Sequence, residues 1–324
     1  MTLMTEKMDG PGREGLAGAP YFLRLLDRAR RQGPVTVSVA GADDEDILVG
    51  VWDAVEEGLA RPILVGDKVA IRAAAARAGL GDWAVRVVHA PGPQASSQEA
   101  TRLVHAGEAE VLVKGTVSSG DFLRAVLDAD HGLRTGRILS HVAVYDLPGY
   151  DRLVFMTDGG MVPAPDLPTK RQILLNALEL ARRLGVAQPR AAAVACTEKV
   201  DPHIVATTDA AALAEMGGRG EFGDAVVEGP LALDMVFCAE MARRKGVESR
   251  IAGATDIWLV PDINAGNILG KCLLYLGQAT MAGVVVGAAA PVLLNTRLDT
   301  PAGKLASLAV ACVLAPAYRA ERRA

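Results

Sequence analysis

The sequence predicts an α/β protein of two domains, with parallel or mixed sheets flanked by helices. Short apolar runs rich in β-branched residues alternate with segments of helical periodicity, the pattern of a sheet covered by helices on both faces. The chain has 324 residues, more than one hydrophobic core usually supports. Half of the residues are hydrophobic and only 4% are aromatic, so the cores must consist mainly of Ala, Val, Leu and Ile.

The first part of the chain alternates strictly between strand and helix. Residues 34–40 are apolar and β-branched, and the amphipathic segment before them places Arg24, Arg28 and Arg31 outward. This pattern predicts helices at 21–32, 43–58, 68–78, 97–106 and 121–127, and strands at 34–40, 62–65, 85–89 and 111–113.

The middle of the chain interrupts this alternation. Two apolar runs, 138–144 and 153–156, are joined by a turn-rich linker and predict an antiparallel hairpin at the seam between the domains. Beyond it the pattern predicts helices at 166–184, 208–216, 231–245, 266–276 and 305–315, and strands at 191–195, 225–228, 257–260, 284–287 and 292–294. Residues 1–19 are expected to form a disordered tail.

Charge and composition narrow the class of protein. The formal net charge is -4 and no basic patch dominates, so we expect no nucleic-acid partner. Residues 1–19 lack an apolar leader, and Gly, Gln and Pro interrupt the uncharged stretch at 272–296, so we expect a cytoplasmic protein with no membrane partner. The four cysteines are scattered in or beside apolar segments and are expected to be reduced core thiols.

Three polar segments directly follow apolar strands, where ligand sites lie in open α/β sheets. The first, at 111–124, places Lys114, Gly115 and Ser119 in a loop that leads into a helix capped by Ser119 or Asp121, with Arg124 one turn further. Backbone amides at a helix N-terminus attract anions, which makes these residues a candidate phosphate site. The alternative is that Lys114 and Arg124 are solvated surface charges.

The second segment, at 261–271, offers amides and one cation. Asn264 and Asn267 supply hydrogen-bonding groups, Gly266 allows close backbone approach, and Lys271 lies one helical turn beyond Asn267. A plain turn with an N-cap at Asp262 is the alternative, although it gives no reason for Lys271 in an otherwise apolar helix.

The third segment, at 296–299, combines a hydroxyl, a guanidinium and a carboxylate. Arg297 suits phosphate oxygens, Thr296 suits a developing oxyanion, and Asp299 is either a general base or the partner that orients Arg297. An exposed ion pair at a helix start is the alternative.

Other functional classes find little support. Acidic strings at 228–234 and 252–256 are interpreted as helix caps and backbone-bonded turns rather than as a metal site. No histidine pair has the spacing of metal ligands, so His141 and His203 are interpreted as structural or surface residues. The dinucleotide, P-loop and nucleophile-elbow motifs are all absent from the sequence.

Taken together, the motifs resemble the phosphate acetyltransferase/phosphate butyryltransferase family over about residues 21–315. The stretches closest to the butyryl branch are Phe-Leu-Arg-Ala-Val-Leu-Asp at 122–128, Gly-Leu-Arg-Thr-Gly at 132–136, Leu-Ser-His-Val at 139–142, Glu-Gly-Pro-Leu-Ala-Leu-Asp at 228–234, Ala-Gly-Ala-Thr-Asp at 252–256 and Gly-Asn-Ile-Leu-Gly-Lys at 266–271. Several separate motifs in the same order make the resemblance specific.

This resemblance implies a reversible reaction in which an acyl-CoA and phosphate give an acyl phosphate and CoA. It implies an isocitrate/isopropylmalate-dehydrogenase-like fold and a homodimer, with CoA and acyl-CoA as substrates and no separate cofactor. It further implies a discontinuous first domain, 20–138 with 290–324, a second domain at 139–289, and an active-site cleft between them.

Site roles also follow from the resemblance. Arg297 matches the family's phosphate-binding arginine, Thr296 replaces the serine before it, and Arg124 matches a second phosphate-site arginine. The acetyl branch carries a catalytic aspartate where this chain has Gly303, so the base is Asp299, the substrate phosphate, or none, with an unassisted thiolate as nucleophile. Two other functions remain open: a metal- and NAD-dependent decarboxylating dehydrogenase of the same fold, and a non-catalytic CoA-binding relative.

Overall fold

The computed structural model describes residues 12–81, 83–294 and 300–322. The α/β prediction is confirmed, because helices and strands alternate along most of the chain. In the first part the elements are α1 (Pro20–Gln32), β1 (Val35–Ala40), α2 (Glu45–Glu56), β2 (Ala60–Gly66), α3 (Lys68–Arg77), β3 (Arg86–His89), α4 (Pro93–His105), β4 (Val111–Lys114) and α5 (Ser119–Val126). They continue with β5 (Ser140–Asp146), β6 (Leu153–Thr157), α6 (Leu167–Arg183), β7 (Arg190–Val194), α7 (Val205–Gly218), β8 (Val226–Leu231), α8 (Leu233–Phe237), α9 (Ala239–Arg244), β9 (Ile257–Leu259), α10 (Ile263–Tyr275), β10 (Thr280–Val286), β11 (Val292–Leu293) and α11 (Pro301–Glu321).

The chain divides into two compact units. Unit 1 comprises the described residues of Met1–Arg137 and Thr280–Ala324, and unit 2 is Ile138–Ala279. The sequence-based division returned to the first domain at residue 290, whereas in the structure the return begins at Thr280. The difference arises because β10 pairs with β11 and packs against α11.

In unit 1 the strand order is β3-β2-β1-β4-β11-β10. Among the described strands of unit 1, neighbours are parallel from β3 to β11, and β10 runs antiparallel to β11. The chain proceeds outward from β1 to β2 and β3, then returns to place β4 on the other side of β1. This reversal creates a topological switch point beside the carboxyl ends of β1 and β4, where open α/β sheets bind ligands.

Helix α11 forms much of the core of unit 1. The side chain of Thr300 accepts a hydrogen bond from the amide of Gly303 at 3.0 Å, and Pro301 occupies the first turn, so the helix starts four residues before the predicted position. By length and hydropathy α11 resembles a membrane span, but 83% of its apolar window is buried inside the protein, as in the core helix of a soluble domain.

In unit 2 the strand order is β5-β6-β9-β7-β8. The predicted hairpin is confirmed, since β5 and β6 pair antiparallel from Val142 opposite Thr157 to Asp146 opposite Leu153. The remaining neighbours are parallel. Helix α6 packs against β5, β6 and β9. At its start the buried ammonium of Lys170 donates to Asp209 of α7 at 2.7 Å.

Several local expectations were wrong. The helix predicted at 231–245 is two short helices, because Cys238 adopts an extended conformation (φ -142°, ψ 113°) between α8 and α9. Only Cys312 is a core thiol, whereas Cys196, Cys238 and Cys272 are exposed. Within the expected disordered tail, a short 3₁₀ turn at Glu14–Leu16 buries Leu16 completely, and residues 1–11 lie outside the described residues.

Candidate active site

The first candidate segment lies at the switch point of unit 1. Gly115 follows β4 and packs against the loop after β1, so a Cβ on Gly115 would be 2.1 Å from the carbonyl oxygen of Gly41. The next residue, Thr116, donates its amide to Gly41 at 2.9 Å and its hydroxyl to Asp43 at 2.5 Å. The two loops therefore form one rigid rim beside the carboxyl ends of β1 and β4.

Lys114 closes the loop after β4. Its ammonium is partly buried and donates to the carbonyl oxygens of Gly115 and Val117, at 3.2 Å each. A positive charge is thus held inside the loop that leads to α5. Such a charge favours the binding of an anion at this edge of the sheet.

Ser118 caps helix α5, so both predicted caps, Ser119 and Asp121, are wrong. Its hydroxyl accepts from the amide of Asp121 at 3.1 Å and donates to the Asp121 carboxylate at 2.8 Å, while Ser119 is the exposed first residue of the helix. Arg124 donates to the same carboxylate at 2.7 Å and remains 70% exposed. The hydrogen bonds from Ser118 and then Arg124 lower the pKa of Asp121. Arg124 is therefore oriented by Asp121 and still open to a ligand.

A pocket of about 660 Å³ lies between α4 and α5, beyond the end of β3. Its walls carry basic, acidic and amide side chains together with small apolar ones, and Arg124 is one of the lining residues. Two of the three carboxylates are engaged by the two arginines, Glu99 by Arg102 and Asp121 by Arg124. The polar lining consists of His89, Gln94, Gln98, Glu99, Arg102, Asp121, Arg124, Asp128 and His131. Pockets of this volume accommodate organic ligands much larger than a phosphate ion.

The second candidate segment begins α10 in unit 2. Asp262 caps the helix by accepting from the amides of Asn264 at 2.8 Å and Ala265 at 3.0 Å, which confirms the predicted N-cap. Asn264, Asn267 and Lys271 are all exposed, and their spacing places them on one face of α10. They form a polar face with two amides and one cation.

Gly266 faces the interior instead. A Cβ on Gly266 would lie 2.5 Å from Cα of Gly159, so the two glycines let the loop after β6 rest directly on α10. The close backbone approach expected at Gly266 is made by this loop. Gly266 thus positions the loop after β6 beside the polar face of α10.

Sequence reasoning missed a buried carboxylate in that loop. Asp158 is 2% exposed and accepts from the amides of His141 at 3.0 Å, Gly160 at 2.9 Å and Met161 at 2.8 Å. The signal was present, since Asp-Gly-Gly directly follows an apolar strand, as in the segments that were recognised. Asp158 fixes both the loop and the start of β5.

The carboxylates of the acidic strings accept from backbone amides, as expected, but the helix caps expected there are not formed, since Ala232 caps α8 and Asp234 lies inside it. Glu228 accepts from the Ser249 hydroxyl at 2.6 Å, Asp234 pairs with Lys245 at 2.9 Å, and Asp256 forms a two-pronged ion pair with Arg190 at 3.0 Å. The hydrogen bond from Lys245 is the main cause that lowers the pKa of Asp234.

The structure therefore gathers the predicted residues into two groups. Lys114, Gly115, Ser119 and Arg124 line one loop and helix start in unit 1, and Asn264, Gly266, Asn267 and Lys271 belong to α10 in unit 2. The third segment, with Thr296, Arg297 and Asp299, lies outside the described residues.

Comparison with known proteins adds an independent line of evidence. Residues 93–312 match the family model described as phosphate acetyl/butaryl transferase. Over 294 residues the chain is 42% identical to a probable phosphate butyryltransferase of Bacillus subtilis (strain 168), covering 91% of this chain and 98% of that protein. It is also 40% identical over 301 residues to a phosphate acetyltransferase of Rhizobium meliloti, covering 93% and 94% of the two chains.

A solved structure supports the same conclusion. A branched-chain phosphotransacylase from Enterococcus faecalis V583 superposes with a TM-score of 0.76 and 31% identity, covering 86% of this chain and 98% of that one. The family match includes the loop after β4, helix α5 and helix α10, which carry the two described groups of candidate residues. The chain therefore belongs to the phosphate acetyl/butyryl transferase family and is a phosphate acyltransferase.

Proposed function

We propose that this enzyme transfers a short acyl group reversibly between CoA and inorganic phosphate, with the switch-point loop and α5 as part of its substrate site. The observation that carries the proposal is the segment after β4. The residues that resemble the family's motif form a cation-bearing loop and a capped helix start at the ligand-binding edge of an α/β sheet.

The chemistry requires three kinds of group. The thiolate of CoA attacks the carbonyl carbon of the acyl phosphate, and the C–O bond to phosphate then breaks with its electron pair on the departing phosphate. Cations are needed for the phosphate, a hydrogen-bond donor for the tetrahedral oxyanion, and a route for the thiol proton. We assign the phosphate to Arg297 and the oxyanion to Thr296, as the resemblance implies.

In place of the phosphate-site role that the resemblance implies for Arg124, we assign this residue to an anionic group of CoA, with the nucleotide end of CoA in the pocket that Arg124 lines. The pocket is about 660 Å³, which suits a nucleotide better than a bare phosphate. The exposed Arg124 suits a phosphate group, and the two glutamines and the carboxylates of the lining suit the hydrogen-bonding edge of a base. In unit 2, the exposed face of Asn264, Asn267 and Lys271 is assigned to further polar substrate contacts.

The first experiment measures thiol release from acetyl-, propionyl- and butyryl-CoA with and without phosphate. Phosphate-dependent release from at least one of them is expected, and the order of kcat/KM values defines the acyl preference. Release from none of the three would overturn the proposed function and favour a non-catalytic CoA-binding protein.

Two variants then separate the assigned roles. Arg124→Gln is expected to raise the KM for CoA about 10-fold with a smaller effect on the KM for phosphate, and Arg297→Ala the reverse. Arg72→Gln is the control, because Arg72 is exposed on α3 and does not line the pocket. Equal changes in both KM values for Arg124→Gln would contradict the assignment.

We further propose a homodimer, as the resemblance implies, with exposed apolar residues of α10 and its C-cap in the interface. Ile268 is 65% exposed, Tyr275 51% and Leu276 74%. Ile268 and Tyr275 are four residues after Asn264 and Lys271 and share their face, so the interface must leave those polar side chains accessible. Sedimentation should report a dimer for the wild type and a monomer for the variant with Ile268→Glu and Leu276→Glu. Val69→Glu, at a 77% exposed position on α3, is the matched control.

A further inference from the structure

Two glutamines line the pocket between α4 and α5 with side-chain amides that the protein itself does not use. Gln94 and Gln98 both belong to α4 and are four residues apart, which places them on one face of the helix. Both residues are exposed, and within the described ranges no hydrogen bond engages either amide. Each amide offers an acceptor oxygen and two donor hydrogens. The α4 wall of the pocket therefore presents two hydrogen-bonding groups to a ligand.

The carboxylates of the same pocket are already engaged by protein donors. Glu99 accepts two hydrogen bonds from the guanidinium of Arg102, at 2.8 Å each, and Asp121 accepts from Arg124 at 2.7 Å. Asp128 accepts from two backbone amides of the turn that follows it, at 3.0 Å and 2.8 Å. The charge of Arg102 is thus balanced on α4, whereas Arg124 on α5 remains 70% exposed as a cation for an anionic group.

The hydrogen-bonding pattern of the α4 wall suits adenine. The amide of a glutamine matches adenine, because the N6 amino group donates to the amide oxygen while a neighbouring ring nitrogen accepts from the amide nitrogen. Guanine instead presents acceptors at O6 and N7, which an arginine or lysine matches best. Arg102 does not offer its fork to a base, since Glu99 occupies it, and this hydrogen bond is the main cause that raises the pKa of Arg102.

Buried serines fix the start of α4 against the end of β3. Ser96 donates its hydroxyl to the carbonyl oxygen of Ala90 at 2.7 Å, and Ser97 donates to that of Pro93 at 2.6 Å. Both serines are at most 3% exposed. Because the backbone that carries the two glutamines is held in this way, a ligand has to order only their side chains, which reduces the entropic cost of binding.

The apolar part of the pocket consists of small side chains. They come from the end of β3, the residue after it, α4 and α5, and they are Val88, Ala90, Ala95 and Ala125. Ligand pockets typically combine apolar surface of this kind with a few polar groups that fix the orientation of the ligand. Small side chains leave room for a planar ring, and the nearby glutamines supply the polar groups.

We propose that Gln94 and Gln98 recognise the adenine base of CoA and make the pocket between α4 and α5 selective for an adenine nucleotide. The base lies against the small apolar side chains, its N6 amino group and a neighbouring ring nitrogen bond to the glutamine amides, and a phosphate lies toward Arg124. The inference rests on the CoA site proposed above. The two glutamines determine specificity and take no part in the acyl transfer itself.

Calorimetry with CoA and with 1,N6-etheno-CoA tests this recognition directly. The etheno bridge removes the N6 hydrogens and blocks N1, while the ribose and all the phosphates stay unchanged. The wild type is expected to bind etheno-CoA about 10-fold more weakly than CoA, a loss typical of one or two hydrogen bonds. Equal affinities of the wild type for the two ligands would overturn the inference.

The variants Gln94→Leu and Gln98→Leu separate hydrogen bonding from the bulk of the etheno ring. Leucine keeps the helix propensity of glutamine. Each variant is expected to bind CoA about 10-fold more weakly, to bind etheno-CoA nearly as the wild type does, and to keep kcat at saturating CoA. If both variants still discriminate between the ligands as the wild type does, the discrimination comes from the bulk of the ring and the inference is wrong.

Gln32→Leu is the matched control, because Gln32 is an exposed residue at the end of α1 that does not line the pocket. It should bind both ligands as the wild type does. Arg124→Gln should weaken the binding of both ligands by the same factor, since they carry the same phosphates. A glutamine variant that loses affinity for both ligands equally and also unfolds at a lower midpoint would identify a structural role and overturn the inference.

Thiol release measured on the same preparations separates this inference from the proposed reaction. An enzyme that releases thiol with phosphate but binds CoA and etheno-CoA equally overturns the base recognition alone. A protein that releases no thiol, yet discriminates between the ligands and loses this discrimination in the two leucine variants, supports the base recognition and overturns the proposed reaction.

Discussion

Gly115 stands against Gly41 so closely that a Cβ on Gly115 would lie 2.1 Å from the carbonyl oxygen of Gly41. Since the contact is with backbone, no side-chain rotation relieves it. Gly115→Ala is therefore expected to lower the free energy of unfolding by about 1–3 kcal/mol, the usual range for overpacking, and to reduce acyl transfer by moving the loop after β4. Urea denaturation and initial rates measure the two effects.

The control for this prediction is Gly120→Ala, at the second residue of α5. A Cβ on Gly120 would meet only the Ser118 hydroxyl, at 3.8 Å, which is ordinary contact. If the Gly115→Ala variant is as stable and as active as the Gly120→Ala variant, the loop after β4 accommodates the added Cβ by shifting, and the prediction is wrong.

Removing one partner of the buried ion pair between Lys170 and Asp209 is predicted to destabilise the protein strongly. Their side chains are 6% and 14% exposed, so removing one partner leaves a buried charge without compensation. Asp209→Ala is expected to cost about 3–5 kcal/mol of unfolding free energy. Chemical denaturation of the full chain measures this loss.

An exposed pair on the same helix gives the comparison. Glu221 is 3.1 Å from Arg171 of α6 and 2.8 Å from Arg219, and all three side chains are at least 31% exposed, so Glu221→Ala should lower the free energy of unfolding far less than Asp209→Ala. Similar losses for the two variants would contradict the argument from burial.

Cys312 is predicted to react far more slowly than the other three cysteines. Burial raises the pKa of its thiol to about 12, and the reactive thiolate is correspondingly scarce, whereas Cys196, Cys238 and Cys272 are exposed. Titration of the native protein with a disulfide reagent should release three equivalents quickly and a fourth only after unfolding. Cys272→Ser should remove one fast equivalent, and four equivalents released at one rate would refute the prediction.

Asp121 is predicted to contribute to acid stability. Hydrogen bonds from Ser118 and Arg124 lower its pKa, so its contribution is fully present above the ordinary value of 3.8 and is lost as the pH falls through the lower native value. Asp121→Asn should lower the unfolding midpoint at neutral pH, and the gap to the wild type should close below pH 3.8. Asp130→Asn, at an exposed loop position, is the control, and parallel curves for Asp121→Asn and wild type would contradict the prediction.

Much of the fold was predictable because strand and helix periodicities are strong here. The β5–β6 hairpin was anticipated because turn residues between two apolar runs are typical of paired antiparallel strands. The cap at Asp262 was anticipated because aspartate is a common residue before the first turn of a helix. The break between α8 and α9 was not anticipated, because cysteine is not a helix-breaking residue. The extended backbone of Cys238 is determined by packing within unit 2 rather than by the local sequence.

The candidate residues of the site were chosen from similar patterns. Lys114 and Arg124 were selected because they follow a strand, but which of their neighbours caps α5 depends on backbone angles that the sequence does not reveal. The hydrogen bond from the His141 amide to Asp158 was missed because the two residues are 17 positions apart and meet only through the pairing of β5 with β6. Local patterns do not show such contacts.

The discontinuity of unit 1 has a consequence for how the chain is made. Unit 2 is one continuous segment, Ile138–Ala279, whereas unit 1 requires β10, β11 and α11 from Thr280–Ala324. During synthesis, β4 and α1 therefore emerge long before the strand and helix that cover them. The strands and helices of unit 2 are therefore all synthesised before β10, β11 and α11, and the apolar surface of α1 and β4 that α11 contacts stays uncovered until α11 has been made.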